Sequence, residues 1–245
     1  MKQLLMAGAV CAAIAAPISA SAQATAAPAA PASPHTVTGN FSIVSDYRFR
    51  GLSQTDRGPA LQGGIDYSHE SGFYLGNWNS SVDSGIYTDG SGIEMDFYGG
   101  FKPVFGDVTL DIGALYYYYP QAENGDGDRF NTLEAYVGAA YGPISGKIWY
   151  GVGSKWFASE DAAHSIYYEV NGTFPLVENL SLAAHVGYQD VKDVDDADYW
   201  DFKLGLTYDL SGWLLGAAVV ATNADDDVYG HSGDTTVVVS VGKTF

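Results

Sequence analysis

The feature that most constrains this chain is an alternation of apolar and polar residues with a period of two, which recurs from residue 37 to residue 245. It falls into about twelve stretches of roughly 10 to 14 residues, each bounded by Gly, Pro, Asn, Asp or Ser. The spacing predicts strands at 37–50, 58–69, 73–83, 93–104, 107–119, 130–141, 144–157, 164–175, 180–190, 199–210, 213–223 and 235–245. In the tenth, Trp200, Phe202, Leu204, Leu206, Tyr208 and Leu210 share one face, and Asp201, Lys203, Gly205, Thr207 and Asp209 share the other. A pattern repeated strand after strand in this way marks a wall between an apolar and an aqueous medium.

The connections carry separate information because they alternate in kind. Those at 70–72, 105–106, 142–143, 176–179 and 211–212 are tight, while those at 51–57, 84–92, 120–129, 158–163, 191–198 and 224–234 are longer. Short turns on one side and long loops on the other are the asymmetry of an outer-membrane barrel, with both chain ends on the side of the short turns. The expected fold is therefore all-β: a transmembrane, antiparallel, up-and-down barrel of about 12 strands. Aromatic clusters at Tyr116 to Tyr119, Trp149-Tyr150, Trp156-Phe157, Tyr167-Tyr168, Tyr199-Trp200 and Trp213 suit two girdles at the bilayer interfaces. A soluble β-sandwich also alternates, but it demands neither alternating loop lengths nor an aromatic end.

At the N-terminus, Lys2, the apolar run from Leu4 to Ala16 and the small residues up to Ala22 read as a signal peptide over residues 1–22. This places the rest of the chain in the envelope of a Gram-negative bacterium. Residues 23–36, dominated by Ala and Pro up to Pro34, read as a disordered periplasmic tail, and 37–245 as the barrel. The single cysteine, Cys11, falls within the signal, so the mature chain has neither disulfides nor thiolate ligands. Without Lys2, the 11 Lys and Arg become 10 against 29 Asp and Glu, which argues against a nucleic-acid partner. The surroundings expected instead are outer-membrane lipid and lipopolysaccharide.

If the apolar parity faces lipid, the opposite parity lines the lumen. The candidate pore-lining residues are Asp46, Arg48, Arg50, Asp66, Glu94, Asp96, Asp111, Glu134, Lys147, Lys155, Glu169, Asp201 and Lys203, with Lys102 and Asp209 of the same parity. Such charges could line a pore, or pair across the barrel and plug it. Twelve strands spaced ~4.8 Å and tilted ~40° close at a backbone radius of about 12 Å, between filled and open barrels. Acidic runs at 123–128, 193–198 and 225–227 match no dedicated calcium loop and read as solvated outer loops. Ser154 and His164 have lipid-facing parity on neighbouring predicted strands, which makes a lipid-face hydrolase an alternative. No third orienting residue and no G-x-S-x-G motif accompany them, so the chain is not read as an enzyme, and no cofactor or metal is implied.

The run S-D-Y-R-F-R-G-x-S-Q from Ser45 to Gln54 resembles the opening of the proteobacterial outer-membrane family called TorF or Gcw_chp, as do Gly63 to Tyr67 and Gly72 to Trp78. The resemblance implies an outer-membrane barrel with a porin role and supplies neither a substrate nor catalytic residues; the expected function is a passive channel for small hydrophilic solutes. The C-terminal strand ending in Phe245 resembles the signal read by the barrel-assembly machinery. On this reading Arg48 and Arg50 lie near the outer mouth of the first strand, either attracting anions or joining Asp46 in a network that anchors loop 51–57.

Overall fold

The computed structural model describes residues 33–85 and 90–245. The predicted signal peptide and most of the Ala/Pro tail lie outside the described residues, as does the middle of the predicted loop 84–92. The wall consists of β1 (His35–Val44), β2 (Ala60–His69), β3 (Phe73–Ser81), β4 (Ile93–Phe101), β5 (Val108–Tyr118) and β6 (Thr132–Tyr141), followed by β7 (Ile144–Val152), β8 (Ile166–Val177), β9 (Leu180–Asp190), β10 (Tyr199–Leu210), β11 (Trp213–Thr222) and β12 (Thr236–Thr244). Each strand pairs antiparallel with its neighbours in sequence, and β1 also pairs with β12, with Asn40 opposite Thr244 and Val44 opposite Ser240. The result is a closed 12-strand barrel without a free edge. Closure satisfies the backbone N–H and C=O groups that a hydrocarbon environment would otherwise leave unpaired.

Parity sets the two faces as alternation requires. On β10, Trp200, Phe202, Leu204, Leu206, Tyr208 and Leu210 are all exposed on the outer surface, whereas Tyr199 and Asp201 are buried inside. The tight turns form where the backbone can take a left-handed conformation: Ser211 (φ 54°) and Gly212 (φ 88°) link Leu210 to its partner Trp213. Two positive φ values in a two-residue turn match the right-handed twist of the flanking strands. The fourth strand, predicted to run to residue 104, stops at Phe101, because Pro103 has no N–H to offer the ladder; Val104–Phe105 forms only a short rung with β5.

The largest departure from expectation is the first strand, which ends at Val44 rather than at residue 50. Val44 is paired directly with Ala60, and the 15 residues between them, 45–59, leave the wall and fold into the lumen. There Arg48–Phe49 pairs with Leu52–Ser53 in a small hairpin whose turn, Arg50 (φ 44°) and Gly51 (φ 83°), again needs two left-handed residues. Every residue from Tyr47 to Gln54 is buried. Similarly, the seventh strand ends at Val152, not at residue 157, and loop 153–165 turns inward at Phe157 (φ 44°) and Ala158 (φ 65°). The apolar core of the protein thus lies inside the barrel, in its outer half, where Phe49 and Phe157 pack against Tyr117 and Trp156 against Phe157.

Candidate functional site

The inner hairpin and the surrounding wall make one continuous polar network. At its tip, the Arg50 guanidinium donates through Nη1 to Gln189 Oε1 on β9 (2.7 Å) and through Nη2 to Glu134 Oε2 on β6 (2.6 Å). Its plane stacks near Phe49 and Tyr167, 4.5 and 4.2 Å from the ring centroids. Glu134 also accepts from the Tyr117 hydroxyl (2.8 Å) and from the Trp156 indole N–H (3.0 Å), so one buried carboxylate ties the hairpin, β5 and the inward loop 153–165 together. A charge this deep is tolerable only because its oxygens are met by donors.

The base of the hairpin is held by Arg48 and Asp46. Arg48 Nε donates to Asp46 Oδ2 (2.6 Å) and Nη1 to the Ser232 carbonyl (2.7 Å), while Asp46 Oδ1 accepts from Ser53 Oγ (2.7 Å). Ser232 belongs to the 3-10 turn Gly230–Gly233, which follows α1 (Asp226–Tyr229) in the last outer loop, so Arg48 joins the first and last outer connections. These residues therefore sit in an anchoring network within the plug, and Asp46, Arg48 and Arg50 do not line the wall of the first strand as their parity had suggested. Under the tip lies a cavity of about 30 Å³ lined by Arg48, Arg50, Gly51, His185, Asp201, Lys203 and Val220. It has room for about one water molecule.

On the opposite flank, Tyr47 donates to Glu94 Oε1 (3.1 Å). Glu94 and its neighbour on the same face, Asp96, are both fully buried, two carboxyls side by side with no cation paired to either among the described residues. Elsewhere in the lumen, further along the wall from the hairpin, the charges are also paired. Lys147 Nζ reaches Asp111 Oδ2 (2.9 Å), which also accepts from the Tyr74 hydroxyl at Oδ1; Trp149 Nε1 donates to Glu169 Oε1 (2.8 Å), and Tyr98 donates to Asp66. His185 Nε2 and the Tyr167 hydroxyl both contact Asp201 at 2.8 Å. Lys203 forms no ion pair among the described residues, which leaves its ammonium group facing the lumen.

Lys155, predicted on the seventh strand, instead belongs to the outer loop and pairs with Asp128 (2.5 Å) and Glu160 (3.0 Å), because the strand ends three residues earlier. Those two bonds raise its pKa above the ordinary lysine value. Across the mouth, Arg57 pairs with Asp234 and holds that carboxyl below the usual carboxylate range. The Ser154 and His164 pair of the hydrolase alternative does not form: both residues lie in loop 153–165, and the imidazole Nδ1 contacts the Tyr150 hydroxyl (2.8 Å). Among the described residues no three His, Cys, Asp or Glu converge on a common metal position.

The predicted aromatic girdles also divide by parity. Tyr116, Tyr150, Tyr168, Trp200 and Trp213 face outward, whereas Tyr117, Tyr119, Trp149, Trp156, Phe157, Tyr167 and Tyr199 are buried inside. The signal was present in the alternation itself, since adjacent aromatics on a strand must face opposite ways.

A closed antiparallel barrel with an apolar outer band and a charged, partly filled interior has the fold of an outer-membrane porin. The chain belongs to the Gcw_chp family, described as bacterial proteins of unknown function, which it matches over residues 28–245. No curated protein matches it in sequence. Among solved structures it is similar to the KdgM porin, with a TM-score of 0.56 and 11% identity over 85% of this chain and 99% of that one. It also resembles a KdgM porin in complex with disordered oligogalacturonate (TM-score 0.53, 9% identity, 85% and 97% covered). The NanC porin aligns at 11% identity over 86% of this chain and 99% of that one, with a TM-score of 0.48. At these identities the likeness concerns the fold.

Proposed function

We propose that the protein is an outer-membrane channel for small hydrophilic solutes whose outer lumen is closed by the inner hairpin at residues 45–59. The observation that carries this reading is the pairing of a charged periplasmic half-lumen with a plug inserted from a single rung, Val44 opposite Ala60, without interruption of the wall. A solute path would run past Asp66, Asp111, Lys147, Glu169, Asp201 and Lys203, then meet Arg50 with Glu134, Glu94 and Asp96, so displacement of the hairpin would control passage. The fold shared with the KdgM porin, which is also described in complex with disordered oligogalacturonate, supports hydrophilic solutes as the class. Export by the N-terminal signal and recognition of the strand ending in Phe245 by the assembly machinery complete the reading.

The density of the outer network favours a second reading, a permanently plugged structural barrel. Single-channel conductance in planar bilayers separates the two. The channel reading expects discrete steps that become larger or more frequent in Arg50→Ala; a folded barrel silent both as wild type and as Arg50→Ala would establish the plugged one.

A further inference from the structure

The periplasmic rim of β1 and β2 carries two histidines on one rung. His35 is directly opposite His69, and Glu70 N–H donates to the Pro34 carbonyl at 2.9 Å. Residues 34 and 70 are therefore a hydrogen-bonded pair, and His35 with His69 is the adjacent non-hydrogen-bonded one, the type that brings side chains closest. Both share the outward parity of Val37 and Ile65, so the imidazoles sit on the outer surface at the end of the wall, His35 exposed and His69 half-buried.

Their geometry is held from one side only. His35 Nδ1 is engaged by the Tyr67 hydroxyl at 2.8 Å, and the ring stacks on Tyr67 with centroids 5.9 Å apart. His69 Nδ1 is engaged by Ser71 Oγ at 2.8 Å and accepts from the Ser71 backbone N–H at 3.2 Å. Neither Nε2 has a partner among the described residues. The two ring centroids are 5.1 Å apart, with planes at 48°.

We propose that His35 and His69 form a transition-metal site, binding a cation such as Zn²⁺ through the two Nε2 atoms. Two imidazoles on one tetrahedral metal, each at about 2.0–2.1 Å, place their centroids roughly 5 Å apart, which is the separation found here. At His35 the Tyr67 hydroxyl supplies the outer hydrogen bond that metal-bound imidazoles characteristically make through the other ring nitrogen; at His69 metal binding through Nε2 moves the ring proton to Nδ1, which then turns from the Ser71 backbone N–H to donate to Ser71 Oγ. Because no third ligand joins them among the described residues, water completes the coordination and the metal exchanges readily.

The test uses the mature chain, without a polyhistidine tag, folded in detergent. Calorimetric titration with Zn²⁺ is expected to show one saturable site per chain, weakened about tenfold or more by either His35→Gln or His69→Gln. Cu²⁺ as a spin probe should report two nitrogen ligands in wild type and one in each single variant. His164→Gln and His231→Gln should bind as wild type. Tyr67→Phe, which keeps both ligands but removes the outer hydroxyl, should weaken binding while retaining the two-nitrogen spectrum. Equal Zn²⁺ affinity in wild type and the His35→Gln/His69→Gln double variant, or a two-nitrogen spectrum surviving in that variant, overturns the proposal; the exposed rim position keeps these variants foldable.

Discussion

Arg50 and Glu134 meet at 2.6 Å with side-chain exposures of only 3% and 1%, and their contact fixes a hairpin tip from the first outer connection to the sixth strand of the wall. The pair is worth most through what its loss would leave behind, a buried charge without its counterion.

Arg50→Ala is accordingly expected to cost about 3–5 kcal/mol of stability. The loss should fall on the plug rather than the wall. The measurement is thermal unfolding in detergent alongside limited proteolysis: a lower midpoint, new cleavage within 45–59 and an unchanged β-sheet circular dichroism signal. Arg50→Lys should recover only part, since a single ammonium cannot reproduce the fork that reaches Gln189 and Glu134 together.

At the neighbouring turn position, a Cβ on Gly51 would lie 2.3 Å from Thr222 Cγ2 and 2.8 Å from Asp201 Cβ, and φ is 83°. Gly51→Val should destabilise by roughly 1–3 kcal/mol by forcing the tip off the wall. Its cleavage pattern should match that of Arg50→Ala; a midpoint within error of wild type would mean that the tip is not docked as described.

Asp96→Asn tests the opposite flank. An amide there can donate to Glu94 and relieves the repulsion between two carboxyls buried on one face with no cation paired to either among the described residues, so stability should rise by about 1 kcal/mol. A lower unfolding midpoint would contradict this account of the pair.

The wall was legible in the sequence because its rule is local: parity and loop alternation fix which residues of β9 and β10 face lipid, and both strands run over the predicted 180–190 and 199–210. The plug was not, and the reason is physical. Tyr47, Phe49 and the charged residues between them alternate as a wall strand would, yet both faces of the hairpin are buried, one against aromatic and one against polar lumen groups. Period-two patterning reports two environments without saying which surfaces supply them. The clue to the departure was Arg50-Gly51, a two-residue turn signature inside an apparently continuous strand. For the same reason Trp156 and Phe157 read as girdle residues although they fill the lumen.

Lys203, having no ion pair, offers a direct reading of the lumen field. In the Arg50→Ala background, Lys203→Glu should move the reversal potential under a salt gradient toward cation preference. The substitution changes the fixed charge by two units, each worth about 1 kcal/mol at a few ångströms through water, together roughly a thirtyfold change in permeability ratio. An unaltered reversal potential would place the conducting path elsewhere.

The outer ion pairs set a pH response with a definite sign. Asp234, its pKa lowered by Arg57, keeps its pairing at and above the ordinary carboxylate range and loses it as pH falls through its own lowered value. Lys155, its pKa raised by Asp128 and Glu160, stays paired until pH rises beyond the usual lysine range. Hydrogen-exchange protection, taken relative to the intrinsic amide rate at each pH, should therefore fall in 225–234 on strong acidification and in 153–160 on strong alkalinisation. Arg57→Ala should remove the acid step in 225–234 alone.

The single rung at which residues 45–59 leave and re-enter the ladder means that the cylinder and its stopper are modular. Replacing the excursion with a two-residue turn would leave every wall pairing in register, and lengthening or recharging it would alter the bore without moving a strand. Selection can thus retune what occupies the mouth of such a barrel while the lipid-facing wall stays unchanged.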